Sequence, residues 1–371
     1  MGVPGGETGT TARRAGDAPL EQMLSDSLYP HVQRQYLLVC GQLMAMLKER
    51  HGMMECLQAM RSFFLLEAGD AMRDFCAPVF ERARRRECWR DVSFLNTALQ
   101  EALRHHAHAR RLTVELEEVS VEGQPQPINT LYGLTLHYEA PWPVSLVLSP
   151  PAEAVYRQVF TLLLQIKWVK HSLDTLRFQA LTDAAFPRGE DDAQDGNDAV
   201  PGGQQGPERS SSSSSRRRGL GQPCPLAHRM FLLRVKFMHF VNSLHTYVLT
   251  RILHSTWLEF GPRLNGAYDL DELLAAHGDF LAAIHDRCLL RDRVSYVKQA
   301  IMKVCNLALV FADRWRAGPT ALRADVLART EGDLKSCHVF LVTILNKAVR
   351  RGSFPHLESL ALALAAGMER K

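Results

Sequence analysis

The sequence predicts a mainly α-helical protein, built as helical bundles with a small antiparallel β element set into them and one disordered loop. Three observations lead to this prediction. Long segments place apolar residues at helical spacing, two short segments alternate apolar and polar residues with period two, and residues 187–227 contain almost nothing that could be buried. These patterns are typical of amphipathic helices, a hairpin and a disordered segment, respectively.

Composition places the chain among ordinary globular proteins. Of its 371 residues, 46% are hydrophobic and 23% charged, and the formal net charge is only +4, so we expect no nucleic-acid partner. The longest apolar stretches, such as residues 159–166, are shorter than the roughly 20 residues of a membrane span, so we expect no membrane partner. The first twenty residues lack the apolar core of a signal peptide. Eight cysteines without a C-x-x-C pair indicate buried free thiols in a reducing cytosol.

The N-terminal part divides into two segments. Residues 1–24 are interpreted as a flexible tail, because they are rich in glycine, threonine and arginine. Residues 25–60 are predicted to be helical, since apolar residues recur close to the i, i+4, i+7 spacing. This stripe consists of Val32, Tyr36, Val39, Leu43 and Leu47.

A period-two alternation then interrupts the helical pattern. Residues 112–116 and 134–138 each alternate apolar and polar side chains, on either side of a polar, proline-bearing turn. This predicts a small antiparallel β element. The element closes with Pro141-Trp142-Pro143, in which we expect Trp142 to be a large apolar anchor in the core.

The next helix is predicted from about Ala152 to Ala180. Pro150 and Pro151 precede it, and prolines can begin a helix but cannot continue one. Its apolar face, which we expect to be buried, carries Val155, Val159, Leu162, Ile166, Val169 and Leu173.

Residues 228–259 are apolar around most of a helical circumference, with a centre formed by Phe237, Val241, Leu244, Val248 and Ile252. Such a helix is typical of the interior of a bundle. Only a narrow strip is polar, and it consists of Lys236, His239, Ser243, Thr246, Thr250 and His254. Further helices are predicted at about 270–285, 291–316, 320–350 and 356–369.

The segment 187–227 is interpreted as an insertion within one fold, because the helical patterns on its two sides do not look complete alone. It contains an acidic patch, six serines and Arg216–Arg218. Phosphorylation or an import signal is compatible with the serine and arginine tract, and a solvated loop is the favoured interpretation.

Short catalytic motifs are absent from the sequence: it contains no phosphate-binding loop, nucleophile elbow, zinc-protease motif or kinase signature. Glu101, His105 and His108 have metal-ligand residue types on one helical face, but neighbouring arginines repel a cation, so a polar helix end is favoured. His285 and Cys288 could form a nucleophile and base, but we expect Cys288 in the core. A basic cluster within residues 82–90 is interpreted as a solvated helix face.

Four groups of residues resemble the C-terminal domain of the γ-tubulin complex components. They are Leu57–Asp70; Leu134–Tyr138 with Pro141-Trp142-Pro143; Phe240–Tyr247 with His285–Leu290; and Asn346–Val349 with Gly352–Leu357, the last of which is similar to component five within that family. The groups occur in the family's order, and the resemblance extends from about Leu28 to Met368, apart from the loop.

The resemblance implies a γ-tubulin-binding structural subunit of the γ-tubulin ring complex that scaffolds microtubule nucleation, without catalysis and without a cofactor of its own. It implies γ-tubulin and other complex components as partners, and a place in the cytoplasm and cytoskeleton at centrosomes, spindle poles and other organising centres. The C-terminal domain would be residues 61–371, and residues 25–60 a remnant of the N-terminal helical domain. We expect the rest of that domain to be missing, so that the chain would be a short form, a fragment or an incomplete gene model. Its lateral contacts are then in doubt, and we expect an exposed apolar surface at 30–60.

The γ-tubulin-binding residues are predicted on the polar strip of residues 228–259. Lys236, His239, Ser243, Thr246 and Thr250 are the candidates, because a partner could cover a mildly polar surface, although a strip that faces only water would have the same sequence. Phe64, Trp142 and Tyr247 are assigned to the core. Two other functions stay open: a helical adaptor or tether with a partner other than tubulin, and a hydrolase that uses Cys288 or a histidine–aspartate pair.

Overall fold

A computed structural model describes residues 20–117, 126–176, 225–318, 323–352 and 355–368. In these ranges the protein is mainly α-helical, as predicted. The helices are α1 (Leu20–Ser27), α2 (Tyr29–Ala45), α3 (Met53–Phe64), α4 (Gly69–Arg85), α5 (Val92–Ala102), α6 (Pro150–Asp174), α7 (Pro225–Tyr247), α8 (Ser255–Gly266), α9 (Leu270–Arg287), α10 (Ser295–Arg316), α11 (Ala324–Arg350) and α12 (Glu358–Met368). The strands are β1 (Leu112–Leu116) and β2 (Leu134–Tyr138).

Helix α6 is central to the core, and its sequence explains why. It begins at Pro150, two residues before the predicted start, and a proline is suited to this position because the N–H groups of a first helical turn have no partner within the helix. Of its predicted apolar face, Val155 is half-buried and the other five residues are buried. Helices α3, α4, α7, α9 and α10 pack against α6. Phe64 of α3 is fully buried in edge contact with the rings of Tyr156 and Phe160. The core assignment of Phe64 is therefore confirmed.

Helices α7 and α8 form one long helical segment joined by a π-helical stretch, Val248–His254. The predicted centre of this segment is buried, from Phe237 to Ile252, and Tyr247 is buried as expected. Helix α7 packs against α6, α11 and α12. The prediction of a helix deep in a bundle is confirmed.

The two strands form the predicted antiparallel pair, in which Leu112 lies opposite Tyr138 and Val114 opposite Leu136. Gly133, just before β2, has φ of +90°, and a Cβ there would lie 2.5 Å from the carbonyl oxygen of Glu117. This position therefore requires glycine both for its backbone conformation and for the close approach.

The prediction that Trp142 is a core anchor is wrong, since its side chain is 77% exposed. The chain turns at Pro141-Trp142-Pro143 and continues into a 3-10 turn, Val144–Leu146. That turn places Val144 and Val147 in the core, and both are buried. The two valines, and not the tryptophan, therefore contribute to the core at this turn.

Helix α2 forms where residues 25–60 predict a helix, but most of its apolar stripe is not buried. Val32, Tyr36, Val39 and Leu43 are exposed, and Leu47 alone of the five is buried. Two contacts connect this region to the Asn265–Asp269 segment: the Tyr36 hydroxyl lies 3.0 Å from Asp269 Oδ2, and Lys48 Nζ lies 3.3 Å from the Asn265 carbonyl oxygen. The exposure of these four side chains agrees with the expected apolar surface at residues 30–60.

The shared face expected for Glu101, His105 and His108 does not form, because α5 ends at Ala102 and the chain turns. His108 instead places its Nδ1 2.9 Å from the Tyr138 hydroxyl. The predicted insertion at 187–227 lies outside the described residues except for Pro225–Ala227, which form the first turn of α7. Of the predicted tail, residues 1–19 also lie outside, and Leu20–Leu24 belong to α1.

Candidate binding surface

The polar strip, by which we mean Lys236, His239, Ser243, Thr246 and Thr250, follows one side of α7 into the π-helical stretch. Ser243 is half-buried, and the other four residues are exposed. The first and last positions are 14 residues apart, which corresponds to about 21 Å of helix. The five residues therefore form one continuous surface feature, as the sequence spacing suggested.

Two polar contacts hold α7 to the body of the protein, which fixes how the strip is presented. Lys170 Nζ of α6 donates to Asn242 Oδ1 at 2.6 Å. Arg234 donates to the backbone carbonyl oxygen of Leu173 at 3.2 Å through one of its terminal nitrogens. These contacts lie beside the buried apolar residues and leave the strip facing outward.

Helices α11 and α12 support the strip near His239. His338 of α11 places Nε2 2.9 Å from the carbonyl oxygen of Leu364 in α12, and its ring meets the ring of Phe240 edge-on. Burial and the nearby His239 both lower the pKa of His338. The strip therefore lies at a junction of three helices.

The chemistry of the strip is mild. Lys236 is its only permanent charge, and the Thr250 hydroxyl donates to the Thr246 carbonyl oxygen at 2.8 Å, so that hydroxyl can offer a partner an acceptor. A surface of this kind can form hydrogen bonds with a partner and be covered by it, and it contains no group that is activated for a reaction.

Sequence reasoning missed the apolar border of the strip. Leu232 and Val235 lie one turn or less from Lys236, and both are exposed. The apolar sequence of α7 gave no signal for this, because exposed and buried leucine and valine look alike in a helix that is apolar around most of its circumference. The candidate surface is therefore more amphipathic than predicted, which is typical of protein interfaces.

The residues considered for catalysis do not form a nucleophile and base pair. Cys288 is buried, and burial raises the pKa of its thiol to about 12, so the reactive thiolate is disfavoured. His285 Nε2 lies 3.0 Å from Gln158 Oε1. In the basic cluster, Arg84 and Arg85 pair with Glu81, and the guanidinium of Arg82 lies 3.5 Å from the ring centre of Phe94.

Two structural findings apply to the described ranges only. Within them, no group of histidine, cysteine, aspartate and glutamate side chains has an arrangement that could hold a metal ion. Across the same ranges, every helix is too short or too polar to cross a membrane.

Comparisons with known proteins identify the family. The family model for the gamma tubulin complex component C-terminal domain matches residues 53–366. Gamma-tubulin complex component 5 of Macaca fascicularis is 52% identical over 352 residues, which cover 94% of this chain and 47% of the relative. Component 5 of Mus musculus is also 52% identical, over 351 residues that cover 94% of this chain and 33% of the relative.

A more distant relative, gamma-tubulin complex component 6 of Homo sapiens, is 26% identical over 325 residues, which cover 83% of this chain and 16% of the relative. The chain thus spans less than half the length of these curated relatives. The resemblance to component five is confirmed. Because the family model covers most of the chain, the protein belongs to the gamma-tubulin complex component family.

Proposed function

We propose that this chain is a γ-tubulin-binding structural subunit of the γ-tubulin ring complex and that it scaffolds microtubule nucleation. The observation that carries this proposal is the match of the family's C-terminal domain to residues 53–366, supported by 52% identity to proteins named gamma-tubulin complex component 5. The expected places of action are the cytoplasm and cytoskeleton, at centrosomes, spindle poles and other organising centres.

In this proposal the protein acts by preorganisation. Bringing several subunits together costs translational and rotational entropy, and a scaffold that holds γ-tubulin in place meets that cost before the microtubule begins to grow. No covalent step is needed, and the chain needs no cofactor of its own. Its buried helical core gives a rigid base for such a role.

The polar strip is the proposed γ-tubulin contact. It is outward-facing, continuous along α7, and bordered by exposed Leu232 and Val235, so a partner could cover apolar and polar area together. Its support by α6, α11 and α12 keeps the binding geometry nearly unchanged between the free and bound states.

The test is size-exclusion chromatography with light scattering on the purified chain mixed with γ-tubulin. We expect a one-to-one complex. Lys236→Glu reverses the strip's charge and should weaken binding about tenfold or more, because a like or unpaired charge within an interface is costly. Arg73→Glu is the matched control, since it makes the same charge change at an exposed position of α4.

Three outcomes would have different meanings. Equal loss of binding in both variants would indicate a general charge effect and would contradict the strip assignment. Binding that neither variant affects would place the contact elsewhere on the domain. Absence of a complex from a chain that is folded by circular dichroism would contradict γ-tubulin binding, and a helical adaptor with another partner would become the leading function.

A further inference from the structure

A cleft of about 980 Å³ lies away from the polar strip, between the hairpin, α6 and α10. Glu117, Gly133 and Thr135 form its hairpin side. Helix α6 runs along its length from Pro150 to Gln165, and Lys298 and Met302 of α10 form the far side. These 16 residues span 15 helical rises, about 22 Å, which is the length of an extended peptide of about seven residues.

One end of the cleft contains an ionic cluster in which three glutamates surround one arginine. Arg157 lies 2.9 Å from Glu115 Oε2 and 3.1 Å from Glu153 Oε1, and its other terminal nitrogen lies 3.6 Å from Glu117. His137 Nδ1 lies 2.8 Å from the same Glu153 oxygen. The cluster contains more carboxylates than cations, so it does not attract an acidic side chain at that end of the cleft.

The α10 side of the cleft contains a cation that has no counter-ion. Lys298 is half-buried, and within the described ranges no carboxylate forms an ion pair with it. Cys288 is the ionisable group that acts on its pKa, but the buried thiol stays protonated because its own pKa is raised to about 12. Burial lowers the pKa of Lys298, which is the result expected for an ammonium that has lost water without gaining a counter-ion.

A second polar group in the cleft is also without a partner. Gln165 is only 9% exposed, it lines the cleft, and no hydrogen bond is formed by its amide to any part of the chain that the structure describes. The amide keeps some contact with solvent, so its N–H groups are available to a ligand that supplies an oxygen. Leu162 and Met302 provide apolar surface beside these two groups.

We propose that this cleft binds a protein segment in extended conformation through an acidic side chain, which Lys298 and Gln165 receive together. An ammonium and an amide N–H are suitable donors for the two oxygens of one carboxylate. A doubly charged phosphate fits less well, because Lys298 is the single unpaired cation among the described residues of the cleft and the glutamates at its other end would repel it. The length and openness of the cleft favour a peptide segment over a small free acid.

The probe is a capped seven-residue peptide with one central glutamate between two leucines, labelled for fluorescence anisotropy. Its control has glutamine in place of the glutamate. We expect the wild-type chain to bind the glutamate peptide about tenfold more tightly than the control, the effect of one charge-assisted hydrogen bond. The preference should weaken as salt rises.

Two substitutions assign the effect to the cleft. Lys298→Met keeps the apolar stem and removes a desolvated charge, so we expect it to fold and to lose the preference for glutamate. Lys303→Met is the matched control on the exposed side of α10, and it should keep the preference. Gln165→Leu provides a second, independent variant, which should reduce binding of the glutamate peptide.

Equal binding of the two peptides by the wild-type chain would overturn the proposal, as would binding of neither peptide at millimolar concentration. An unchanged preference in the Lys298→Met variant would also overturn it. Because the assay contains no γ-tubulin, its result is independent of whether the chain binds γ-tubulin through the polar strip.

Discussion

His277 should make the fold sensitive to mild acid, and the structure gives the size of the effect. The residue is 2% exposed on α9, and its ring packs against the stacked pair of Phe260 and Phe280. Its Nε2 lies 3.2 Å from the Tyr156 hydroxyl. Burial lowers the pKa of His277 to about 4, although a hydrogen bond to the Val147 backbone partly opposes the shift.

Proton linkage predicts that acid lowers the free energy of unfolding. The histidine has a pKa near 6.5 when unfolded and about 4 when folded, so between these values the unfolded chain binds more protons. Stability from this group is therefore complete above the unfolded value and is lost as the pH falls. Linkage gives a loss of about 2 kcal/mol in the free energy of unfolding on going from neutral pH to about pH 5.

The assay is urea unfolding of the wild type and of His277→Gln at a series of pH values. Glutamine does not titrate and can still meet the Tyr156 hydroxyl, so the difference between wild type and variant should change with pH by about 2 kcal/mol over this range. His254→Gln, at an exposed position, is the control and should unfold with the pH profile of the wild type. Parallel profiles for wild type and His277→Gln would refute the reasoning.

Three further predictions concern packing. Phe64→Ala should reduce the free energy of unfolding by about 3–5 kcal/mol, whereas Trp142→Ala should change it by less than about 0.5 kcal/mol; similar urea midpoints for the two would contradict the burial pattern. Gly133→Ala should reduce the free energy of unfolding by more than about 1 kcal/mol through strain and close contact, measured by thermal unfolding against the wild type. Val32→Lys with Val39→Lys should lower self-association in sedimentation velocity while leaving the melting temperature unchanged, and an unchanged sedimentation profile would show that this surface is not adhesive.

The helices and the hairpin could be predicted because their signals are local. The apolar face of α6 from Val159 to Leu173 repeats at helical spacing, and the alternation around Val114 and Leu136 repeats at strand spacing. The backbone satisfies its hydrogen bonds within these elements, so neighbouring residues contain most of the necessary information. The polar strip was found for the same reason, since all five of its residues belong to one helical segment.

The tertiary structure decided which of the apolar patterns are covered. Val39 and Val159 belong to similar stripes, yet Val39 is 60% exposed and Val159 only 1%, because other helices pack over α6 and none of the described ones covers this face of α2. Burial depends on partners distant in sequence, which periodicity does not encode. The tertiary structure likewise decided that two valines, rather than Trp142, enter the core below the hairpin.

The sequence by itself determined the fold class, the order of the elements, the family and a candidate strip on one helix. The cleft is different, since Gln165 and Lys298 lie on separate helices and no sequence pattern relates them. Their presence in one cleft, and the lack of an ion-paired carboxylate at Lys298 in the described structure, result from the packing of α6 against α10. Local periodicity selects helices and strands, whereas only long-range packing decides which polar groups lose water together and which surfaces stay open to a partner.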